Sequence, residues 1–274
     1  MSESKSILLV NDLPGFGKVA LSAMIPILSA QGHRISNLPT ALVSNTLDYG
    51  IFEIHDTTDY IRKTLEIWEQ LNLQFDYMCT GYLCNGQQAE LLTKYKKEHP
   101  ATFLLVDPIM GDDGKLYNGV PEETIVSMRK LSQCADLLVP NATEAALLVH
   151  GCVPHGKLSK TYYYDLLDRL HTMGAKSTVI TSAACESNHY IFGYDNNTGT
   201  CFDIPYNHLP VRFPGTGDVF SALVLSKLTG CTPLKQAVQY SAETVFFMIH
   251  RSQELKDLNF GLPLEQLLSQ LKNG

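Results

Sequence analysis

At 274 residues, with 45% hydrophobic and 18% charged side chains, the chain has the make-up of a compact globule long enough to bury a large core. A single domain over residues 1–274 is the expectation at this length. The net charge of −7 argues against a general attraction to nucleic-acid phosphates or to anionic membranes, so phosphate binding requires a local site.

Short β-rich runs alternate with longer segments of helical period. A strand is expected over Ser6 to Val10, then a helix from Lys18 to Gln31 with Leu21, Met24, Ile25 and Leu28 on one face. A strand at Arg34 to Leu38 and a helix at Asp59 to Asn72, with Ile61, Leu65, Trp68 and Leu71 inward, repeat the pattern. Gln87 to His99 reads as a helix whose Lys94, Lys96 and Lys97 form a solvated face. Tyr77 to Thr80, Thr102 to Val106, Leu137 to Val139 and Ser177 to Thr181 read as buried strands separated by helix-sized segments. Such alternation implies right-handed crossovers and a mainly parallel sheet covered on both faces, with ligands at the carboxyl ends of its strands. His189 to Tyr194 and Gly199 to Ile204 flank the turn-rich Asp195-Asn196-Asn197-Thr198 and predict an antiparallel hairpin. Two last helices are expected, Asp218 to Leu228 and Pro233 to His250, the second turning Leu234, Ala237, Val238, Ser241 and Val245 inward.

The seven cysteines form no CxxC pair and have no His-rich partner segment, which speaks against a zinc site or a disulfide framework and for buried thiols in a reducing compartment. The early apolar run Ile7 to Val10 is too short for a signal peptide, and no run reaches membrane-spanning length, so a cytoplasmic protein with neither nucleic-acid nor membrane partners is expected.

Candidate chemistry lies at the strand exits. Gly215-Thr216-Gly217-Asp218 leads into an apolar helix; its glycines allow close approach of a ligand to free N–H groups, or it is simply a loop with Asp218 at a helix start. No GxxxxGK[ST] occurs, and Gly15-Phe16-Gly17 lacks the third glycine of a dinucleotide fingerprint. Asp107-Pro108-Ile109-Met110-Gly111-Asp112-Asp113-Gly114 offers carboxylates for a hydrated magnesium ion, or a polar turn. Asn141 and Glu144, three apart after a strand, could serve a ligand, but an Asn cap followed three residues later by Glu is above all a helix-start signature. Asn11-Asp12, Ser44-Asn45 and Tyr82 after Thr80-Gly81 sit at comparable exits, where a small polar substrate or a tight turn would use them.

Taken in order, Ser44-Asn45 with Tyr49-Gly50, Thr80-Gly81-Tyr82, Asp107 to Asp112, Pro140 to Glu144, Ile180-Thr181-Ser182 and Gly215 to Asp218 resemble the pyridoxal/pyridoxamine kinase branch of the ribokinase-like superfamily. The resemblance runs from about Ile7 to Arg251 and implies an α/β fold, a Rossmann-like three-layer sandwich with a small β flap. It further implies ATP-dependent phosphorylation of the hydroxymethyl group of a B6 vitamer, with Mg2+, room for a monovalent cation, and a homodimer. Carried over by position, Asp218 is the expected catalytic base and Gly215, Thr216 and Gly217 the anion hole. Asp12, Asn45 and Tyr82 fall at the substrate, Asp107, Asn141, Glu144, Thr181 and Ser182 at the nucleotide phosphates, and Asp107 with Glu144 at magnesium. Ser187 to Asn207 is expected, from its position, to help cover the nucleotide. Mammalian-type relatives carry serine in place of Asp12 and threonine in place of Leu47, and an aspartate at position 12 is similar to hydroxymethylpyrimidine kinases of thiamin synthesis. A non-catalytic ligand-binding member of the same fold is the reading from a different class.

Overall fold

The computed structural model of the chain describes residues 4–117, 119–154, 156, 158–186 and 188–271, and resolves into two compact units, 1–84 with 208–274 and 85–207. In the first unit, β1 (Ser6–Pro14) runs parallel to both β2 (Arg34–Val43) and β4 (Tyr77–Thr80), while β3 (Ile54–Asp56) pairs antiparallel with β2. β1 is flanked on both sides, so Ile7, Leu8, Leu9 and Val10 are all fully buried and read as a continuous apolar run rather than an alternating one. The β1–β2 register slips between Asn11 and Leu13, a bulge that takes Asp12 out of the ladder at the strand's carboxyl end. Helix α1 (Ala20–Ala30) buries Leu21, Met24, Ile27 and Leu28, so Ile27 takes the inward place expected of Ile25. Helix α2 (Thr58–Gln70) buries Ile61 and Thr64 but leaves Leu71 exposed beyond its end.

The second unit begins with α3 (Gly86–Glu98), started by Asn85, whose side chain accepts from the backbone of Gln87 and Gln88. The solvated lysine face expected here is incorrect for Lys96. That side chain is buried, and its ammonium donates to Thr102 O at 2.6 Å, to Pro100 O at 3.2 Å and to the Asp136 carboxylate at 2.7 Å. β5 (Phe103–Val106) is followed by the two-residue strands β6 (Gly111–Asp112) and β7 (Lys115–Leu116), then α4 (Glu123–Ser132) and β8 (Leu137–Leu138). α5 (Ala142–His150), α6 (Lys160–Met173), β9 (Ser177–Cys185), β10 (Asn188–Asp195) and β11 (Thr200–Tyr206) complete the unit. β5, β8 and β9 are parallel, and β9, β10 and β11 are successively antiparallel, so the expected hairpin exists as the margin of the sheet. Ser187, where the expected nucleotide cover begins, lies outside the described residues.

The first unit closes with three helices rather than two: α7 (Thr216–Thr229), α8 (Leu234–Ser252) and α9 (Leu264–Leu271). α7 buries Val219, Phe220, Ala222, Leu223, Val224 and Leu225 on nearly its whole circumference, as a core helix does. On α8, Met248 is buried and Val245 only half so. Cys79 and Cys185 are buried as expected, but Cys152, Cys201 and Cys231 are exposed. No described helix is long and apolar enough to cross a membrane.

Candidate active site

In the first unit the exits of β1 and β4 and the start of α7 bring Asp12, Tyr82 and Asp218 together with Asn11. Gly215 caps α7 with φ 80, and a Cβ there would meet Lys18 O at 2.7 Å and Val19 Cα at 2.9 Å, so both conformation and space require glycine. Asp218 follows in the first turn and is buried. Its Oδ1 accepts from Asn11 Nδ2 at 2.9 Å and its Oδ2 from the Ala20 N–H at 2.8 Å. Ala20 holds a left-handed φ of 47 while it donates. Each carboxylate oxygen accepts one such bond and keeps a lone pair for a further donor.

Burial pushes Asp218 up to about 6, against the pull of the Ala20 and Asn11 donors. A helix start favours the anion and by itself would make Asp218 a weak base; desolvation outweighs it, and the carboxylate becomes a stronger base. Asp12 is pushed up to about 7, first by burial and then by the charge of Asp218. Among the described residues no lysine or arginine pairs with either carboxylate. Tyr82 adjoins them: its N–H donates to Asn11 Oδ1 at 2.8 Å, its C=O accepts from Thr40 Oγ1 at 2.7 Å, and burial raises its phenol well above the usual range. Asn45 is differently employed. Its amide nitrogen donates to Thr46 O at 3.0 Å and Ile51 O at 2.9 Å while its oxygen accepts from Ser44 Oγ at 2.7 Å, so the whole carboxamide shapes its own loop.

In the second unit the parallel strands β5, β8 and β9 put Asp107, Asn141 and Thr181 at one sheet end, where Val139 N–H donates to Val106 O at 2.8 Å and Thr181 N–H to Pro140 O at 2.9 Å. Asn141 and Glu144 form the capping box of α5: Asn141 Oδ1 accepts from Glu144 N and Glu144 Oε2 from Asn141 N, both at 2.9 Å. Glu144 Oε1 also accepts from the N–H groups of Met110 at 3.0 Å and Gly111 at 3.4 Å, and Asn141 Nδ2 donates to Gly111 O at 2.8 Å. The pair thus ties the loop after β5 to the start of α5. Burial and then the charge of Asp107 raise Glu144 well above the usual carboxylate range, with the three N–H donors opposing. Asp112 and Asp113 belong to a tight hairpin. Asp113 and Gly114 have φ of 51 and 80, and a Cβ on Gly111 would come to 2.3 Å from Lys115 O. Ser182 is exposed, holds a φ of 55 and shares a hydrogen bond with the Tyr206 phenol.

Magnesium takes one or two carboxylates, several waters and substrate phosphates. The buried pair Asp107 and Glu144 fits that demand, because the charge of Asp107 raises Glu144 and a cation between them relieves the repulsion. Among the described residues no group of three or more His, Cys, Asp and Glu side chains is arranged to hold a metal ion. A hydrated ion completed by phosphates is therefore the arrangement these residues suit.

The sequence offers Asn11 as a contact to a small polar substrate or as part of a tight turn, and not as a partner of Asp218. An asparagine at the end of an apolar strand was its sole sign, and the partners that define it are distant in sequence.

The phosphomethylpyrimidine kinase family model matches residues 23–261. A Bacteroides thetaiotaomicron protein provisionally named a phosphomethylpyrimidine kinase, crystallised with pyridoxal, is 30% identical with a TM-score of 0.93, over 98% of this chain and 96% of that one. Pyridoxal kinase from Lactobacillus plantarum is 27% identical with a TM-score of 0.88, over 98% and 97% of the two chains. A Saccharomyces cerevisiae protein provisionally named a pyridoxal kinase is 27% identical over 203 residues, which cover 68% of this chain and 62% of that protein. The chain likewise spans 62% and 58% of the fission-yeast and sheep relatives it matches.

Proposed function

This chain belongs to the phosphomethylpyrimidine kinase family, of ribokinase-like α/β fold, and from that premise we propose that it transfers the γ-phosphate of ATP to the hydroxymethyl group of a B6 vitamer. The observation that carries the reading is Asp218, a buried carboxylate with no cation partner among the described residues, raised to about 6 and standing at a helix start behind Gly215. Such a group can orient a substrate hydroxyl and accept its proton late in the transfer. The free N–H groups at Gly215, Thr216 and Gly217 suit the developing phosphate charge. Asp12 and Tyr82 would recognise the polar edge of the ring. Asp107 and Glu144 would hold magnesium, which when bound supplies charge neutralisation at the phosphates; Asn141, Thr181 and Ser182 would serve the nucleotide. Both units would form one kinase domain, working as a cytoplasmic homodimer.

Phosphorylation of a hydroxymethylpyrimidine is the second reading, and Asp12 favours it: a carboxyl raised to about 7 can donate or accept toward a ring nitrogen. ATP consumption with magnesium, with and without potassium, across pyridoxal, pyridoxamine, pyridoxine, hydroxymethylpyrimidine and ribose separates the two. Turnover confined to B6 vitamers upholds the first reading and preference for the pyrimidine the second. No turnover on any of them would turn the protein into a binding member of the fold.

A further inference from the structure

Asn11 is 1% exposed and every polar atom of its carboxamide is engaged. Oδ1 accepts from the N–H of Asp12 at 3.0 Å and of Tyr82 at 2.8 Å. Two backbone donors can face only the oxygen, so the orientation of the amide follows from its surroundings. Nδ2 is thereby directed to Asp218 Oδ1 at 2.9 Å, with Met24 Sδ at 3.7 Å. Gly81 closes over the same group: a Cβ there would lie 2.4 Å from both Cγ and Nδ2 of Asn11. An amide held by this many contacts in a buried site has no alternative rotamer within reach.

We propose that Asn11 is a positioning residue for the reaction, clamped by the backbone at Asp12 and Tyr82 so that its amide holds the Asp218 carboxylate ionised and in one orientation. The inference rests on the reading of Asp218 as the base. One side chain then links the bulge carrying Asp12, the segment carrying Tyr82 and the base itself, so that rearrangement around the substrate ring is felt at the proton acceptor. The groups that face Asp218 are few. β1 contributes the Asn11 amide, which favours the anion, and the Asp12 carboxyl, which the Asp218 charge itself raises; α1 contributes the Ala20 N–H; α7 contributes its own first turn.

Asn11→Asp tests this with little change of shape. The variant retains an oxygen for the two backbone donors and replaces the donor that faces Asp218 with an acceptor. Carbon-13 NMR titration of the Asp218 carboxyl, assigned against Asp218→Asn, should show its midpoint raised by about one pH unit or more, the value of losing a hydrogen bond to a charged group. The acid limb of kcat for pyridoxal should move upward by the same amount, with KM changing far less. Gly81→Ala, which drives a methyl group into the amide without touching Asp218, should shift both in the same direction and serves if Asn11→Asp does not fold. An unmoved midpoint in either folded variant overturns the proposal. Because the NMR titration needs no turnover, a wild-type protein inactive on every vitamer and on hydroxymethylpyrimidine but with a movable midpoint would sink the kinase reading and leave the Asn11–Asp218 coupling standing. An active protein with an unmoved midpoint would sink the coupling alone.

Discussion

Asp218 is a buried carboxylate and Asp136 a partly buried one, its side chain 10% exposed, and the protein treats them in opposite ways. Asp136 in the second unit accepts from Lys96 at 2.7 Å, from Lys176 at 2.6 Å and from the Leu104 N–H at 2.8 Å. Burial alone would raise it, but the two lysines outweigh burial and hold it below the usual carboxylate range. Asp218 in the first unit has two uncharged donors, which do not offset its burial, and rises to about 6. A compensated carboxylate is locked as an anion and can only hold the fold together, whereas an under-compensated one sits near neutrality and can exchange a proton. Glu144 stands between them: raised by burial and by Asp107, yet already accepting from three backbone N–H groups, with a lone pair left on Oε2.

The largest effect expected from breaking this contrast is on activity. Asp218→Ala should lower kcat by about a thousandfold, the scale of a lost general base, while ATP binding measured by calorimetry stays near wild type. A variant with near-normal turnover would remove Asp218 from the chemistry.

On the structural side, Lys96→Met should cost about 3 kcal/mol in chemical denaturation, because a buried charge is left with less compensation. Loss of kcat in that variant at temperatures where it remains folded would blur the contrast.

Glu144→Gln should cost about 1 kcal/mol through the weakened capping box, and it should also change the magnesium dependence of turnover. A magnesium titration matching wild type would reassign Glu144 to capping alone.

The smallest effect concerns pH and stability. Asp12 and Asp218 have folded values above the unfolded 3.8, so between about pH 4 and 7 the folded state binds more protons than the unfolded one. Their contribution therefore favours folding at the acid end and is lost as pH rises through 6 to 7. Asp12→Asn should flatten that slope and raise the melting temperature at pH 7.5 by about 2–4 °C, the shift that 1 kcal/mol gives in a chain of this size. An unchanged slope would mean that Asp12 titrates normally.

Much of the layout was legible from periodicity. Tyr77–Thr80 was bounded correctly because a buried parallel strand is a short apolar run closed by a turn. β1 was expected to end at Val10 but continues to Pro14, because pairing with β2 resumes beyond a bulge that hydropathy does not record. Lys96 was read as solvated because side-chain type implies exposure on average, and only the positions of Thr102 and Asp136 make its burial tolerable. The Asn141 and Glu144 spacing left a ligand and a capping box open, and the capping box is present because that spacing brings two side chains onto reciprocal backbone donors.

By itself the sequence determined the alternation of strands and helices, the glycine-opened start of α7 and the identity of the carboxylates at the strand exits, since these depend on local propensity and spacing. Only the tertiary structure decided what those carboxylates are. Whether a buried acid is a fixed anion or a base near neutrality depends on which donors and charges lie around it. For Asp218 those neighbours are Asn11, 207 positions away, and Ala20, 198 away, which no local pattern could bring to one point.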